Sequence, residues 1–198
     1  NLIYGGGFDK ALNIEYLAPT AAGENVIIKA GNDINLEAAK IDAVNQINLS
    51  ALNDINLTVV NNVDYKDVQT TSKGTFSKKV QRDMTYTEEV VSTQLNANDI
   101  VIDAKNDINL EASKLIATDN IIINTQDGDI NVQAKEYKEG ELHSSKKSSW
   151  GGLKKSLNIQ ASDALKLNSA LLETQAANVV LTSGKDINIL ASEINSGA

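Results

Sequence analysis

The sequence is marked first by what it lacks. It has 198 residues and no cysteine, which excludes a disulfide framework, cysteine-bearing zinc sites and thiol catalysis. One histidine, His143, leaves no multi-histidine metal site. There is one proline, and only eight residues are aromatic. Basic side chains are the minority: 18 against 26 acidic residues give a net charge of −8. That balance argues against a nucleic-acid binder, whose surface is usually basic. No apolar run reaches the roughly eighteen residues of a spanning helix. No signal peptide opens the chain, which starts mid-pattern at Asn1, so an internal fragment of a longer protein is expected.

What is present is a large stock of Asn, Ile, Leu, Asp and Ala, arranged in a repeated phrase. It reads Asn32-Asp33-Ile34-Asn35-Leu36-Glu37-Ala38 and returns at Ile55, Ile108, Ile130 and Ile187. Looser copies start at Val26, Ile47, Ile100, Ile121, Leu157, Leu165 and Val179. Apolar and polar residues alternate with period two, so each phrase is a short strand with one buried face. Steps of 8 or 9 alternate with steps of 13 or 14, except for steps of 45 and 27 after Ile55 and Ile130. A weaker apolar point sits inside the long steps at Ile41, Leu115, Leu171 and Ile194.

Three short strands per 21 or 22 residues describe one coil of an all-β, parallel β-helix. About six coils at about 4.8 Å each would give a rod roughly 29 Å long. Right-handed winding is expected for parallel crossovers. Stacked coils place like aliphatics on one another, which explains the scarcity of rings and of proline, whose missing N–H would break a ladder. The coil domain is expected over 24–198, after an irregular lead segment over 1–23.

The two long steps imply hairpin-like insertions at about 61–96 and 135–156, both after the second strand of a coil. They are expected to leave the rod on the same side. Both carry Tyr-Lys-acid, a Ser/Thr stretch, Ser-Lys-Lys and an aromatic: Tyr65 to Lys79, and Tyr137 to Trp150. Asp83-Met84-Thr85-Tyr86-Thr87 alternates like the return arm of a β-hairpin. Residues 65–89 and 135–155 together hold 11 basic and 7 acidic residues, a net of +4, which leaves −12 for the rest. Tyr65, Lys78, Lys79, Tyr86, Lys146, Lys147 and Trp150 are therefore the candidate interaction surface.

No residue is assigned a catalytic, cofactor-binding or metal role. Asp33, Asp54, Asp107, Asp129 and Asp186 recur because the corner recurs, whereas a catalytic set would break the pattern at one place. The Gly-rich calcium nonapeptide is absent. His143 reads as a surface residue, and Gly5-Gly6-Gly7 as a linker, since no lysine-serine follows to make a phosphate loop.

With its Asp-Ile-Asn-Leu-x-Ala coils interrupted by Ser144-Ser145-Lys146-Lys147-Ser148-Ser149-Trp150-Gly151-Gly152-Leu153, the chain resembles the haemagglutinin repeats of the filamentous haemagglutinin family over about 24–198. It looks closest to the repeat region shared with contact-dependent growth inhibition effectors. The first insertion fits less closely, because Gly74 precedes Ser77-Lys78-Lys79. The resemblance implies a secreted exoprotein of the bacterial cell surface, exported through an outer-membrane partner of the two-partner type. It implies a non-enzymatic, rod-like adhesin or a toxin-delivery filament, with the target-cell surface or outer membrane as its contact and no nucleic acid. Two rival readings are a carbohydrate-active β-helix enzyme and an inert mechanical spacer.

Overall fold

The computed structural model describes residues 3–197. Asn1 and Leu2 of the expected lead segment, Ala198, and the side chains of residues 3–6 (Tyr4 among them) lie outside the described residues. The chain divides into two compact units, one of residues 1–15, 62–89 and 137–166, the other of 16–61, 90–136 and 167–198.

In chain order the strands begin with β1 (Ile3–Ile14) and β2 (Thr20–Ala30). Next come β3 (Ile34–Glu37), β4 (Lys40–Ala51) and β5 (Ile55–Thr58). A first long pair follows, β6 (Val60–Gly74) and β7 (Ser77–Val91). Five short strands come next: β8 (Gln94–Ala97), β9 (Asp99–Ala104), β10 (Ile108–Glu111), β11 (Lys114–Ala117) and β12 (Ile121–Thr125). After β13 (Ile130–Gln133) a second long pair appears, β14 (Lys135–Ser149) and β15 (Lys154–Asn168). The chain ends with β16 (Leu171–Thr174), β17 (Val179–Thr182), β18 (Ile187–Leu190) and β19 (Glu193–Asn195).

The short strands build the larger unit as a parallel β-helix with three ladders. One ladder runs β3, β5, β10, β13, β18. A second runs through residues 26–30 of β2 and 47–51 of β4 to β9, β12 and β17. The third runs through residues 20–23 of β2 and 40–42 of β4 to β8, β11, β16 and β19. Registers place like on like: Ile55, Ile108, Ile130 and Ile187 stack in one column, Leu57, Leu110, Val132 and Ile189 in the next. Ile47, Leu49, Ile100, Ile102, Ile121 and Ile123 are fully buried beside them, with Leu95 and Leu115. Each such aliphatic contributes roughly 1.5–3 kcal/mol by leaving water. Among the described residues no aromatic side chain belongs to this core.

The alternation that marks the coils also misleads in one place. The strands expected at Leu157 and Leu165 are not coil strands. They are the two halves of β15, which pairs with β14 in a separate sheet. The first two ladders therefore have five rungs each and the third has six. The second hairpin runs over 135–168, not 135–156, and matches the first in arm length, with fifteen residues per strand. In the third ladder the inward residue is Leu172, which pairs with Leu115 and Ile194; the expected Leu171 pairs with Lys114 and is only partly buried. The lead segment is not irregular: β1 pairs antiparallel with β6. Gly7, expected in a linker, lies within β1, where a Cβ would come 2.0 Å from the Gln69 carbonyl oxygen. The chain can pass that point only without a side chain.

The corner between the first ladder and the third is made in two ways. In the first, third and fifth coils it turns through Ala38, Ala112 and Ala191, with φ of 47°, 42° and 48°. In the second and fourth coils the backbone continues from β5 and β13 into the hairpins. On return from the first hairpin, the buried Thr93 hydroxyl donates to the Thr58 carbonyl at 2.7 Å, closing the corner that the hairpin opened.

Candidate contact surface on the hairpin sheet

The smaller unit is a five-stranded antiparallel sheet in the order β1, β6, β7, β14, β15. Registers assign its faces. On one face lie Lys10, Asp67, Arg82, Met84 and Leu142, and on the other Asp83, Lys79, His143 and Lys147. Period-two alternation keeps each set together.

Tyr65 and Tyr86, two of the candidate residues, have local roles in the sheet. Asp67 is only 3% exposed. Its carboxylate accepts from Arg82 Nε at 2.9 Å and Nη2 at 2.8 Å, and from the Tyr65 hydroxyl at 3.3 Å. The Arg82 fork holds the Asp67 carboxyl below its usual range, and Tyr65 adds to this. Arg82 also sits 5.8 Å from the centre of the Phe8 ring, and Lys10 Nζ 5.7 Å from it. The Tyr86 hydroxyl donates to Glu88 at 2.5 Å, and that carboxylate raises the Tyr86 pKa. His143 Nδ1 lies 2.9 Å from Asp83, which raises the histidine pKa. It is a surface residue held between two acids, Asp83 and Glu141.

The lysines gather at the hairpin ends. In the β7·β14 register Lys79 stands directly opposite Lys147, and Lys78 opposite Ser148. An open groove of about 920 Å³ runs across this end of the sheet. Lys73, Lys78, Lys79, Lys147, Lys154 and Lys155 line it together with Ser72, Ser77, Ser148, Ser149 and Ser156, and no acidic side chain is among its lining residues. Like charges directly opposite across a ladder repel, so the groove lacks an internal counter-charge. Trp150 and Phe76, both exposed, sit in the two turns beside it, joined by the Trp150 amide donating to the Phe76 carbonyl at 2.8 Å.

Of the candidate residues, Lys78, Lys79 and Lys147 line the groove and Trp150 stands in the adjacent turn. Lys146 pairs with Val80 and is outside the lining. Lys73, Lys154 and Lys155 are in the groove without having been singled out. The signal for the last two was there: Gly151 and Gly152 with φ of 62° and 97° mark a hairpin turn, and the strand after it carries the lysines.

Fold and site together define a class: an all-β solenoid of parallel coils whose chain is interrupted every second coil by a long hairpin. Residues 19–98 match the family described as hemagglutinin repeat, which supports the filamentous haemagglutinin family. Proteins with this repeat are secreted surface exoproteins, and two-partner secretion is associated with them. The matched stretch covers two coils and one complete hairpin. No curated protein and no solved structure matches the chain.

Proposed function

We propose that this chain is a structural and binding segment of a large secreted surface exoprotein. Its coils serve as a stiff scaffold, and its hairpin sheet contacts an anionic envelope or cell surface. The observation that carries this reading is the groove of six lysines with no acidic lining residue. Such a concentration of one charge attracts polyanions over a Debye length of about 8 Å at physiological salt. The exposed Trp150 adds an amphipathic ring of the kind favoured at wet apolar boundaries, and the exposed Phe76 adds apolar surface beside it. The hemagglutinin-repeat match supports the adhesin role. The Ser-Lys-Lys-Ser-Ser-Trp-Gly-Gly run at 145–152 favours a toxin-delivery filament of the contact-dependent growth inhibition kind, exported by a two-partner outer-membrane transporter. A scaffold without cysteine suits export, since no disulfide locks the chain early.

The test is replacement of Lys78, Lys79, Lys146 and Lys147 by glutamate. The variant is expected to keep the far-ultraviolet β spectrum and to lose retention on bacterial cells and on vesicles containing anionic lipid. Retention equal to that of the parent chain rejects the contact role.

A further inference from the structure

The hairpins form a repeat of their own, longer than the coil. β1 and the returning arms β7 and β15 end at Ile14, Val91 and Asn168, 77 residues apart in each case, so β1 holds the position of a returning arm. The outgoing arms β6 and β14 begin at Val60 and Lys135. Each unit of this larger repeat is two coils and one hairpin.

The sheet is assembled by one rule. The returning arm of each hairpin pairs antiparallel with the outgoing arm of the next: β1 with β6, and β7 with β14. The spacing of the pairing partners is kept as well, although the side chains fall on different faces, Asp67 on the Arg82 face and Glu139 on the Asp83 face. The acid of the Tyr-Lys-acid motif, Asp67 in β6 and Glu139 in β14, stands opposite Lys10 and Thr87 respectively. Those two partners are also 77 residues apart.

β15 stands in the place of a third returning arm, and among the described residues it has β14 on one side and no strand on the other. It is fifteen residues long and exposed over 154–167. Leu157, Ile159, Leu165 and Leu167 alternate along one face and are between 56% and 63% exposed. A long exposed strand with alternating aliphatics and a free edge is a template for pairing. A lysine fence would blunt it, but within this strand lysines stand only at its start, Lys154 and Lys155, and at Lys166.

We propose that the free edge of β15 is the docking site for the outgoing arm of a further hairpin of this same repeat. The arm lies antiparallel, with the acid of its Tyr-Lys-acid motif opposite Ala164. Ala164 lies 77 residues beyond Thr87, so it continues the series Lys10, Thr87. The outgoing arms of a second copy are already paired on both edges, β6 between β1 and β7 and β14 between β7 and β15, so a second copy offers only the edges of β1 and β15, neither of them an outgoing arm. Main-chain bonds along the edge supply the affinity.

The absence of cysteine makes the test clean. The probe is a synthetic peptide of the β6 sequence, residues 60–74, added to the full chain. It is expected to bind saturably and to slow amide exchange within 154–168, while a scrambled peptide does neither. A peptide with Asp67→Cys is expected to form a disulfide with the Ala164→Cys chain and not with an Asn158→Cys chain, since disulfides require Cβ atoms about 3.5–4.5 Å apart. Paired Ile159→Lys and Leu165→Lys substitutions are expected to abolish binding. Lack of protection in 154–168, cross-linking regardless of position, or a chain dimer through β15 that the peptide does not dissociate would each overturn the proposal.

Discussion

The carboxylate of Asp107 accepts the amide N–H of Asp129 at 2.8 Å, and the Asp129 carbonyl accepts the amide of Ile108 at 2.9 Å. The bond is returned one coil apart, so the two coils are locked at the corner in both directions. The same exchange joins Asp54 to Asp107 and Asp129 to Asp186. Beside it runs a column of amides in which Asn56, Asn109, Asn131 and Asn188 each donate to the asparagine of the previous coil at 2.8–2.9 Å. The repeated aspartates thus act as acceptors for backbone donors that would otherwise lack partners at a turn.

Removing that acceptor should be felt at one corner only. Asp107→Ala leaves the Asp129 amide without its partner, at a cost of about 1–3 kcal/mol. Asp107→Asn keeps an acceptor oxygen and should lose less. Denaturant midpoints of the two variants, compared at equal slope, check the order; equal losses would contradict it.

The aliphatic column should respond more strongly. Ile108 has no exposed surface and stacks between Ile55 and Ile130. Ile108→Ala is expected to cost about 2–5 kcal/mol, and Ile108→Asp to unfold its coil, read as a loss of β signal by circular dichroism. An unchanged melting temperature for the aspartate variant would show that the register is misplaced.

One glycine marks where two coils touch through backbone. A Cβ at Gly128 would stand 2.3 Å from the Asn106 carbonyl carbon. Gly128→Ala must therefore displace the corner and is expected to cost about 1–3 kcal/mol. Gly151→Ala, in a hairpin turn with open space around it, meets only its unfavourable φ of 62° and should cost less. Thermal midpoints of the pair test the ranking.

Two ionisable groups of the hairpin sheet give opposite pH dependences. Arg82 lowers the Asp67 pKa, so the pair stabilises the fold above the unfolded carboxyl value of about 3.8. That contribution fades as the pH falls through the lowered native value. The pKa of His143 is raised by Asp83, so its contribution is complete below about 6.5 and is lost as the pH rises through the raised native value. Asp67→Asn should flatten the acid side of the stability curve and His143→Gln the neutral side. Titration of the single histidine by NMR below 6.5 would contradict the second assignment.

Much of the solenoid was legible in the sequence. The phrase Asn106-Asp107-Ile108-Asn109-Leu110 carries its corner, its strand and its inward face within five residues. Its recurrence sets the coil length, because stacking works only when like residues return in register. The lysine groove was half legible: Lys78, Lys79 and Lys147 stood out as charge, but Lys73, Lys154 and Lys155 join them only through the pairing of four arms.

The alternation of apolar and polar residues was thus determined by the sequence alone, and with it the all-β class and the inward face of most strands. Which sheet a strand joins was decided by tertiary structure. Leu157-Asn158-Ile159 reads like Ile108-Asn109-Leu110, yet the first lies exposed on a hairpin arm and the second is at the centre of the core. Period two describes any half-buried strand, so it cannot distinguish a coil from a hairpin arm. The choice is made by the neighbour that takes up the backbone hydrogen bonds: β14 for Leu157, and the coils on either side for Ile108.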